Sequence, residues 1–160
     1  MKNNNKKNTI NVIGFDADDT LWENEIIFVN CIKKYNNFLA KYLNKKASTQ
    51  NLFKIEEFNL KYYGYGIKGF VLSLIENTLQ EFDKKLDIEI VKKILDLGKE
   101  MISEPVKILP NVVSTLKQLS KDYTLILITK GDLFDQEKKV INSNLARYFN
   151  HIEIVSEKTE

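Results

Sequence analysis

Residues 123–129, YTLILIT, are an almost unbroken hydrophobic run in the second half of the chain. Continuous rather than alternating apolarity predicts a strand covered on both faces, as in a parallel sheet. Shorter apolar runs at 9–15 (TINVIGF) and 152–155 (IEIV) predict two more strands. Helical patterns follow Pro110 and cover about 134–144, so helices alternate with strands. This order predicts an α/β fold built on a parallel sheet.

A long helical segment separates the first two predicted strands. Residues 23–105 contain no strand pattern, and hydrophobic side chains such as Cys31 and Tyr35 recur at helical spacing. Connections in α/β sheets usually take ~2–6 residues. The segment therefore predicts a helical domain inserted after the first strand, with residues 1–22 and 106–160 forming the sheet-containing core.

Composition excludes several classes of protein. The 160 residues carry 24 basic and 22 acidic side chains, a net charge of +2, and all basic residues except Arg147 are lysines. Proteins that read nucleic-acid grooves favour arginine, so we expect no nucleic-acid partner. No apolar run is long enough to span a membrane. A single cysteine excludes an intrachain disulfide. A polar start without an apolar segment favours a cytoplasmic location.

The first predicted strand ends in a cluster of acids. Asp16, Asp18 and Asp19 follow it within the segment IGFDADDTLW. Parallel α/β sheets bind ligands at the carboxyl ends of their strands. A carboxylate there can act as a nucleophile, as a metal ligand or as both. Aspartates also favour turns and helix caps. Because three acids crowd one strand end, we expect a bound cation.

Three short motifs, in order, resemble those of one enzyme family. The strand followed by DADDT resembles motif I of the haloacid dehalogenase (HAD) superfamily. Thr129-Lys130-Gly131-Asp132, at the end of the second strand, resembles motif II. Ile154-Val155-Ser156-Glu157-Lys158 resembles motif III. The chain thus resembles a HAD hydrolase with a Rossmann-like core and a helical cap inserted after the first strand.

The resemblance implies a magnesium-dependent phosphatase acting on a small phosphorylated metabolite, a phosphate monoester. Asp16 would be the nucleophile that forms an aspartyl phosphate. Asp18 would protonate the leaving oxygen and then activate water. Asp16 and the main-chain carbonyl of Asp18 would also bind Mg²⁺. The dehalogenase branch lacks an acid at the position of Asp18, so its presence favours phosphate-ester hydrolysis. A phosphomutase shares these motifs and is a further possibility.

The other motifs supply the groups that would bind phosphate. The Thr129 hydroxyl would bond the phosphoryl oxygens. Backbone N–H groups of Lys130 and Gly131 could help to hold the phosphate, as anion-binding nests do. Lys158 would neutralise charge on the phosphate and on Asp16. Phosphoryl transfer requires mainly positioning and cations around spread negative charge, which this set provides.

The resemblance stops before the family's fourth motif, whose acids complete magnesium coordination. The sequence ends at Glu160, soon after Lys158. We therefore expect a core that is incomplete at its C-terminus and a first strand with an exposed edge, a site for possible self-association. The alternative function is a catalytically impaired remnant that serves as a phosphate-binding or interaction module.

Two further features have two interpretations each. Residues 62–69, YYGYGIKG, interrupt the helical segment. They are either a cap loop that closes over the substrate or a plain helix–helix connection with packed tyrosines. Trp22 either lines the site entrance or packs at the hinge between cap and core. Asp132 and Asp135 are expected to cap the helix that follows.

Overall fold

A computed structural model describes residues 10–43, 49–82 and 86–158. The strands are β1 (Val12–Phe15), β2 (Thr124–Lys130) and β3 (His151–Val155). The α-helices are α1 (Glu25–Leu43), α2 (Thr49–Tyr63), α3 (Ile67–Glu81), α4 (Ile88–Ser103), α5 (Val112–Leu119) and α6 (Leu133–Ser143). Thr9, where the first strand was predicted to begin, lies outside the described residues.

The three strands form one parallel sheet in the order β1-β2-β3. Phe15 of β1 lies opposite Leu127 of β2, and Thr129 of β2 lies opposite Ile154 of β3. All strands therefore end at the same edge, which is where the predicted site residues follow. The predicted α/β class and parallel sheet are confirmed.

Only one face of the sheet is covered among the described residues. Leu125 packs in a core cluster with Leu116 of α5 and Val140 of α6. On the opposite face, Thr124 and Ile128 are exposed. The prediction that β2 is covered on both faces is thus wrong for the described residues. Right-handed crossovers that proceed in one direction along a sheet place their helices on the same side, which accounts for the open face.

The outer edge of β1 has no partner strand in the part of the chain that the structure describes. Val12 is 51% exposed there. Unpaired strand edges favour pairing with another chain. Self-association through this edge stays a prediction.

The inserted helices α1 to α4 surround a second hydrophobic cluster, separate from the sheet. Tyr35 lies at its centre, fully buried, and its hydroxyl donates to the Leu74 carbonyl (3.2 Å). Asn77 donates to the same hydroxyl (2.9 Å). None of the helices in the described ranges is both long and apolar enough to cross a bilayer.

Two chain segments connect the helical cap to the sheet, and they pair with each other. The Leu109 amide donates to the Leu21 carbonyl (3.0 Å), and the Glu23 amide donates to the Lys107 carbonyl (2.9 Å). Trp22, between them, is fully buried and packs in the cluster of the sheet. The tryptophan thus lies at the hinge between cap and core, one of its two predicted positions. The exact domain limits stay a prediction.

Candidate active site

A cavity of about 520 Å³ lies between the carboxyl edge of the sheet and the cap. It is lined by every residue that the sequence predicted for catalysis or substrate binding, namely Asp16, Asp18, Thr129, Lys130, Gly131 and Lys158. Residues from α1, α2 and α3 line its other side. The strand ends and the cap therefore enclose one shared space.

Asp16 directly follows β1 and pairs with a lysine from the far end of the chain. The Lys158 ammonium forms an ion pair with the Asp16 carboxylate, 142 positions earlier. The Asp16 side chain is 46% exposed, so its carboxylate stays accessible from the cavity. The first and third predicted motifs thus meet at one carboxylate.

The Asp18 carboxylate is bound by three side chains. Lys139 of α6 donates to both oxygens, at 2.7 and 2.9 Å. Gln136, one turn earlier in α6, donates to Oδ2 (2.8 Å), and the Trp22 indole donates to Oδ1 (2.7 Å). Lys139 also donates to the Asn24 side chain (3.0 Å), next to the start of α1. Both carboxylate oxygens of Asp18 therefore accept hydrogen bonds, from α6 and from the hinge tryptophan.

Asp19, the third acid of the cluster, has a different role. Its backbone is left-handed, with φ 56°, and its carboxylate accepts from the amides of Asn24 (2.9 Å) and Glu25 (3.1 Å). Such bonds satisfy the free N–H groups at a helix start. Asp19 thus caps α1, and the cavity holds two carboxylates of the cluster instead of three.

Thr129 presents a buried hydroxyl to the cavity. The residue is 1% exposed, and its Oγ1 has no hydrogen-bond partner among the described residues. Buried polar atoms without partners are rare in native proteins, and each requires an explanation. A ligand oxygen in the cavity would supply the missing partner.

Gly131 supports the Gln136 contact to Asp18. Its φ is 151°, and a Cβ at this position would lie 2.9 Å from Gln136 Nε2. The Gly131 amide donates to the Val155 carbonyl (3.0 Å), which extends the pairing of β2 with β3. This amide, which the sequence predicted to hold phosphate, is therefore already bonded in the structure.

The Lys130 side chain contacts Tyr65 of the cap. Its ammonium lies 3.8 Å from the centroid of the Tyr65 ring and 3.4 Å from Glu157 Oε1. The contact with the Tyr65 hydroxyl, followed by that with Glu157, raises the pKa of Lys130 above its usual value. Lys130 thus connects the sheet edge to the cap loop.

The loop that joins α2 to α3 contacts the N-terminus of α6. The Ile67 amide donates to Asp135 Oδ2 (3.2 Å), and the Lys68 ammonium donates to Asp132 Oδ1 (2.7 Å). Asp132 also accepts from the Asp135 amide (3.1 Å), so it caps α6 as predicted. The same prediction is wrong for Asp135, whose carboxylate accepts from the first amide of α3 instead. This segment connects α2 to α3, and 64–67 also form part of the cavity wall. Its tyrosines are exposed, so the predicted tyrosine packing is wrong, and closure over a substrate stays a prediction.

We expect Gly66→Ala to weaken this cap–core contact. Gly66 has φ 114° and ψ 173°, a region that essentially only glycine adopts. An added Cβ would lie 2.9 Å from the Asp132 Cβ. Strain and contact together should lower the free energy of unfolding by about 3 kcal/mol, measured by chemical denaturation.

Gly64→Ala is the matched control for this variant. Gly64 also has a positive φ, of 67°, but nothing lies within 4 Å of the place that an added methyl group would occupy. The change should therefore cost only about 1 kcal/mol of backbone strain. Equal losses for the two variants would contradict the proposed close approach of Gly66 to α6.

Sequence reasoning missed Gln136 and Lys139, the two α6 residues that hold Asp18. Gln136 and its neighbour Asp135 are polar, yet they are only 3% and 6% exposed. With Asp132 and Lys139 they follow the spacing i, i+3, i+4 and i+7, which places them on one helix face. Polar residues at helix positions expected to face inward are the sequence pattern that could have indicated these site residues.

Comparison with known proteins identifies the family. The family model described as haloacid dehalogenase-like hydrolase matches residues 10–160. The chain belongs to the haloacid dehalogenase-like hydrolases. A haloacid dehalogenase-like family hydrolase from Xanthomonas campestris is 36% identical over 93% of this chain and 63% of its own, with a TM-score of 0.87. A search of curated proteins found no match.

More distant HAD hydrolases share the fold. The 2-haloacid dehalogenase from Pseudomonas syringae is 22% identical, with a TM-score of 0.60 over 91% of this chain and 64% of its own. The Bacillus subtilis HAD hydrolase YfnB, solved with magnesium bound, is 16% identical, with a TM-score of 0.52 over 91% of this chain and 65% of its own. The chain thus spans a little under two thirds of each of these relatives.

Proposed function

We propose that this HAD hydrolase is a magnesium-dependent phosphatase that hydrolyses a small phosphate monoester through an aspartyl phosphate. The observation that carries the proposal is the cavity at the sheet edge. There Asp16 is paired with Lys158, and Asp18, two residues later in the chain, lines the same cavity. The Thr129 hydroxyl is buried there without a partner among the described residues. Together these supply a nucleophile, an acid–base group and a phosphate ligand.

In the first step, an Asp16 oxygen attacks phosphorus, and the bond from phosphorus to the ester oxygen breaks. Asp18 in its protonated form gives its proton to the departing alkoxide. Lys158 and the Thr129 hydroxyl stabilise the charge that spreads over the phosphoryl oxygens. The alcohol leaves and Asp16 carries the phosphoryl group.

In the second step, water attacks phosphorus and the bond to Asp16 breaks. Asp18, now a carboxylate, accepts the proton of the attacking water, and phosphate leaves. The contacts in the structure, all donated to Asp18, suit this base form. Lys139 and Gln136 would return the carboxylate to the same position after each cycle.

The residues at the sheet edge suit a magnesium ion. The Asp16 carboxylate and the Asp18 main-chain carbonyl would hold it, and both are the hard oxygen donors that Mg²⁺ prefers. The described residues contain no group of three His, Cys, Asp or Glu side chains that could hold a metal ion. Magnesium usually keeps several waters and uses one or two carboxylates with substrate phosphate, which fits this small donor set. When bound, the ion would neutralise charge on the transferring phosphoryl group.

The Lys158 ammonium and the Thr129 hydroxyl, which has no partner among the described residues, also support a second candidate. The chain would then bind phosphate at Thr129 and Lys158 without turning it over, as a binding or interaction module. This candidate and the phosphatase share the site and differ only in catalysis.

A turnover assay separates the two candidates. We expect the protein to release p-nitrophenol from p-nitrophenyl phosphate in the presence of Mg²⁺. Turnover should disappear with EDTA and return when excess Mg²⁺ is added. Phosphate binding detected by calorimetry without any turnover would refute the phosphatase and support the binding module.

A further inference from the structure

The cavity extends from the catalytic edge into the cap, between α1 and α2. Most of this extension is apolar, with Phe28 and Ile32 from α1 and Phe53 and Leu60 from α2. The extension also contains Glu56. It thus offers a mainly hydrophobic channel with a charged side chain in its wall.

Glu56 lies half-buried in the side of this channel, and no described cation pairs with it. No described residue forms a hydrogen bond or an ion pair with its carboxylate. Burial, and after it the neighbouring Glu25 carboxylate, raise the pKa of Glu56 above its usual value. Glu25 also lines the cavity and has no ion-pair partner among the described residues. We call Glu25 and Glu56 the acidic wall.

Three other acids of the cavity form ion pairs with lysines. Asp16 pairs with Lys158, Asp18 with Lys139, and Asp132 with Lys68. Buried carboxylates are normally paired, because an unpaired charge loses its hydration without compensation. Glu56 has no such partner among the described residues, and Asp135 accepts only from the Ile67 amide, on one of its two oxygens. A ligand in the cavity would supply the partner that Glu56 lacks.

A separate observation indicates that the same cavity takes a ligand. The Thr129 hydroxyl is buried and has no partner among the described residues, and it lies at the opposite, lysine-containing end. Two more buried oxygens, Asp135 Oδ1 and Gln136 Oε1, belong to residues of α6 that line the cavity, and they have no partner among the described residues. A ligand that satisfies these groups would be anionic near Lys158 and would donate hydrogen bonds toward the cap.

We propose that the substrate is a phosphate monoester whose alcohol portion carries a protonated amine, bound by the acidic wall. This inference rests on the phosphatase proposed above and specifies its substrate class. The phosphate would lie at Asp16 and Lys158, the carbon skeleton against Phe28 and Phe53, and the ammonium at Glu56. A carboxylate in place of the amine would face two acids and be rejected by repulsion.

The test compares matched esters. Aminoalkyl, hydroxyalkyl and carboxyalkyl phosphates of equal chain length are assayed for kcat/KM at several lengths. We expect the amine to be favoured over the hydroxyl by about 10–100-fold at the best length, the range for a charged hydrogen bond. The carboxylate should be the poorest substrate.

Variants then assign the preference to the acidic wall. Glu56→Gln should reduce the ratio of kcat/KM for the amine and hydroxyl esters by at least about 10-fold. Glu25→Gln, a change at an exposed residue, should reduce the same ratio by a smaller factor. Glu57→Gln is the matched control, since Glu57 is exposed and does not line the cavity. It should leave the ratio unchanged.

The outcomes distinguish this inference from the function on which it depends. If no ester is hydrolysed with Mg²⁺, including p-nitrophenyl phosphate, the phosphatase is refuted and the inference with it. If p-nitrophenyl phosphate is hydrolysed but the amine ester has no advantage, only the inference is overturned. A preference for the amine that survives Glu56→Gln and Glu25→Gln likewise overturns the assignment to the acidic wall.

Discussion

Asp16→Asn should lower kcat for p-nitrophenyl phosphate by at least about 10⁴-fold, the scale seen when a covalent nucleophile is removed. The amide keeps the size of the side chain but does not attack phosphorus. The variant should still fold. The Asp16–Lys158 pair is 46% and 40% exposed on its two sides, and exposed pairs contribute at most about 1 kcal/mol to stability. Thermal unfolding and steady-state kinetics on the same preparation check both parts.

Asp96→Asn is the control for this prediction. Asp96 forms an exposed ion pair with Lys99 on α4, outside the cavity. Its loss should leave kcat and KM unchanged and cost about as little stability as the Asp16 change. If Asp16→Asn keeps more than a few per cent of the wild-type kcat while Asp96→Asn behaves as expected, Asp16 is not the nucleophile.

Continuous hydrophobic runs made the sheet predictable. The run at 123–129 corresponds to β2 (Thr124–Lys130), and the predicted helix at about 134–144 corresponds to α6 (Leu133–Ser143). Local patterns decide such elements, because burial on a sheet or a helix face imposes a period on the sequence. The meeting of Asp16, Thr129 and Lys158 followed from the parallel strand ends together with the motif order.

Which faces of the sheet are covered by helices was less predictable than the positions of the strands. Apolarity at Ile126 and Ile128 indicated a strand with two buried faces, yet Ile128 is 38% exposed. A sequence run shows that a side chain is hydrophobic, whereas its burial depends on which elements pack against it. Within the described residues, both flanking helices pack on the other face.

The partners of Asp18 were missed because they are distant in sequence. Lys139 lies 121 positions from Asp18 and Gln136 lies 118 positions from it, so no local pattern connects them. On α2, Leu52, Ile55, Glu56 and Asn59 follow the same inward spacing as the inward-facing polar residues of α6. In both helices, polar residues at inward positions line the cavity. Polar side chains in an otherwise hydrophobic helix face are therefore the signal that reveals the wall of this site.

Lys139→Met should reduce both the stability and the turnover of the protein. The lysine and Asp18 side chains are only 18% and 23% exposed, so removing the cation leaves a carboxylate that water screens poorly. We expect the free energy of unfolding to fall by about 2–3 kcal/mol, somewhat less than for a fully buried pair. We also expect kcat to fall by about 10²-fold, because a carboxylate held only by Gln136 and Trp22 is less well positioned for proton transfer.

Lys138→Met and a double-mutant cycle make this prediction specific. Lys138 is the adjacent lysine, and it donates to the Ile102 carbonyl (3.0 Å) instead of to a catalytic group. Its loss should cost about 1 kcal/mol and leave kcat near the wild-type value.

In an Asp18→Asn background, Lys139→Met should cost at least about 1 kcal/mol less stability than in the wild type, since the pair is already broken. Additive losses in that cycle, or equal kcat values for the two lysine variants, would show that Lys139 does not act through Asp18. A coupled loss would mean that α6 positions the acid–base group, so that the helix after β2 belongs to the catalytic apparatus as much as the strand ends do.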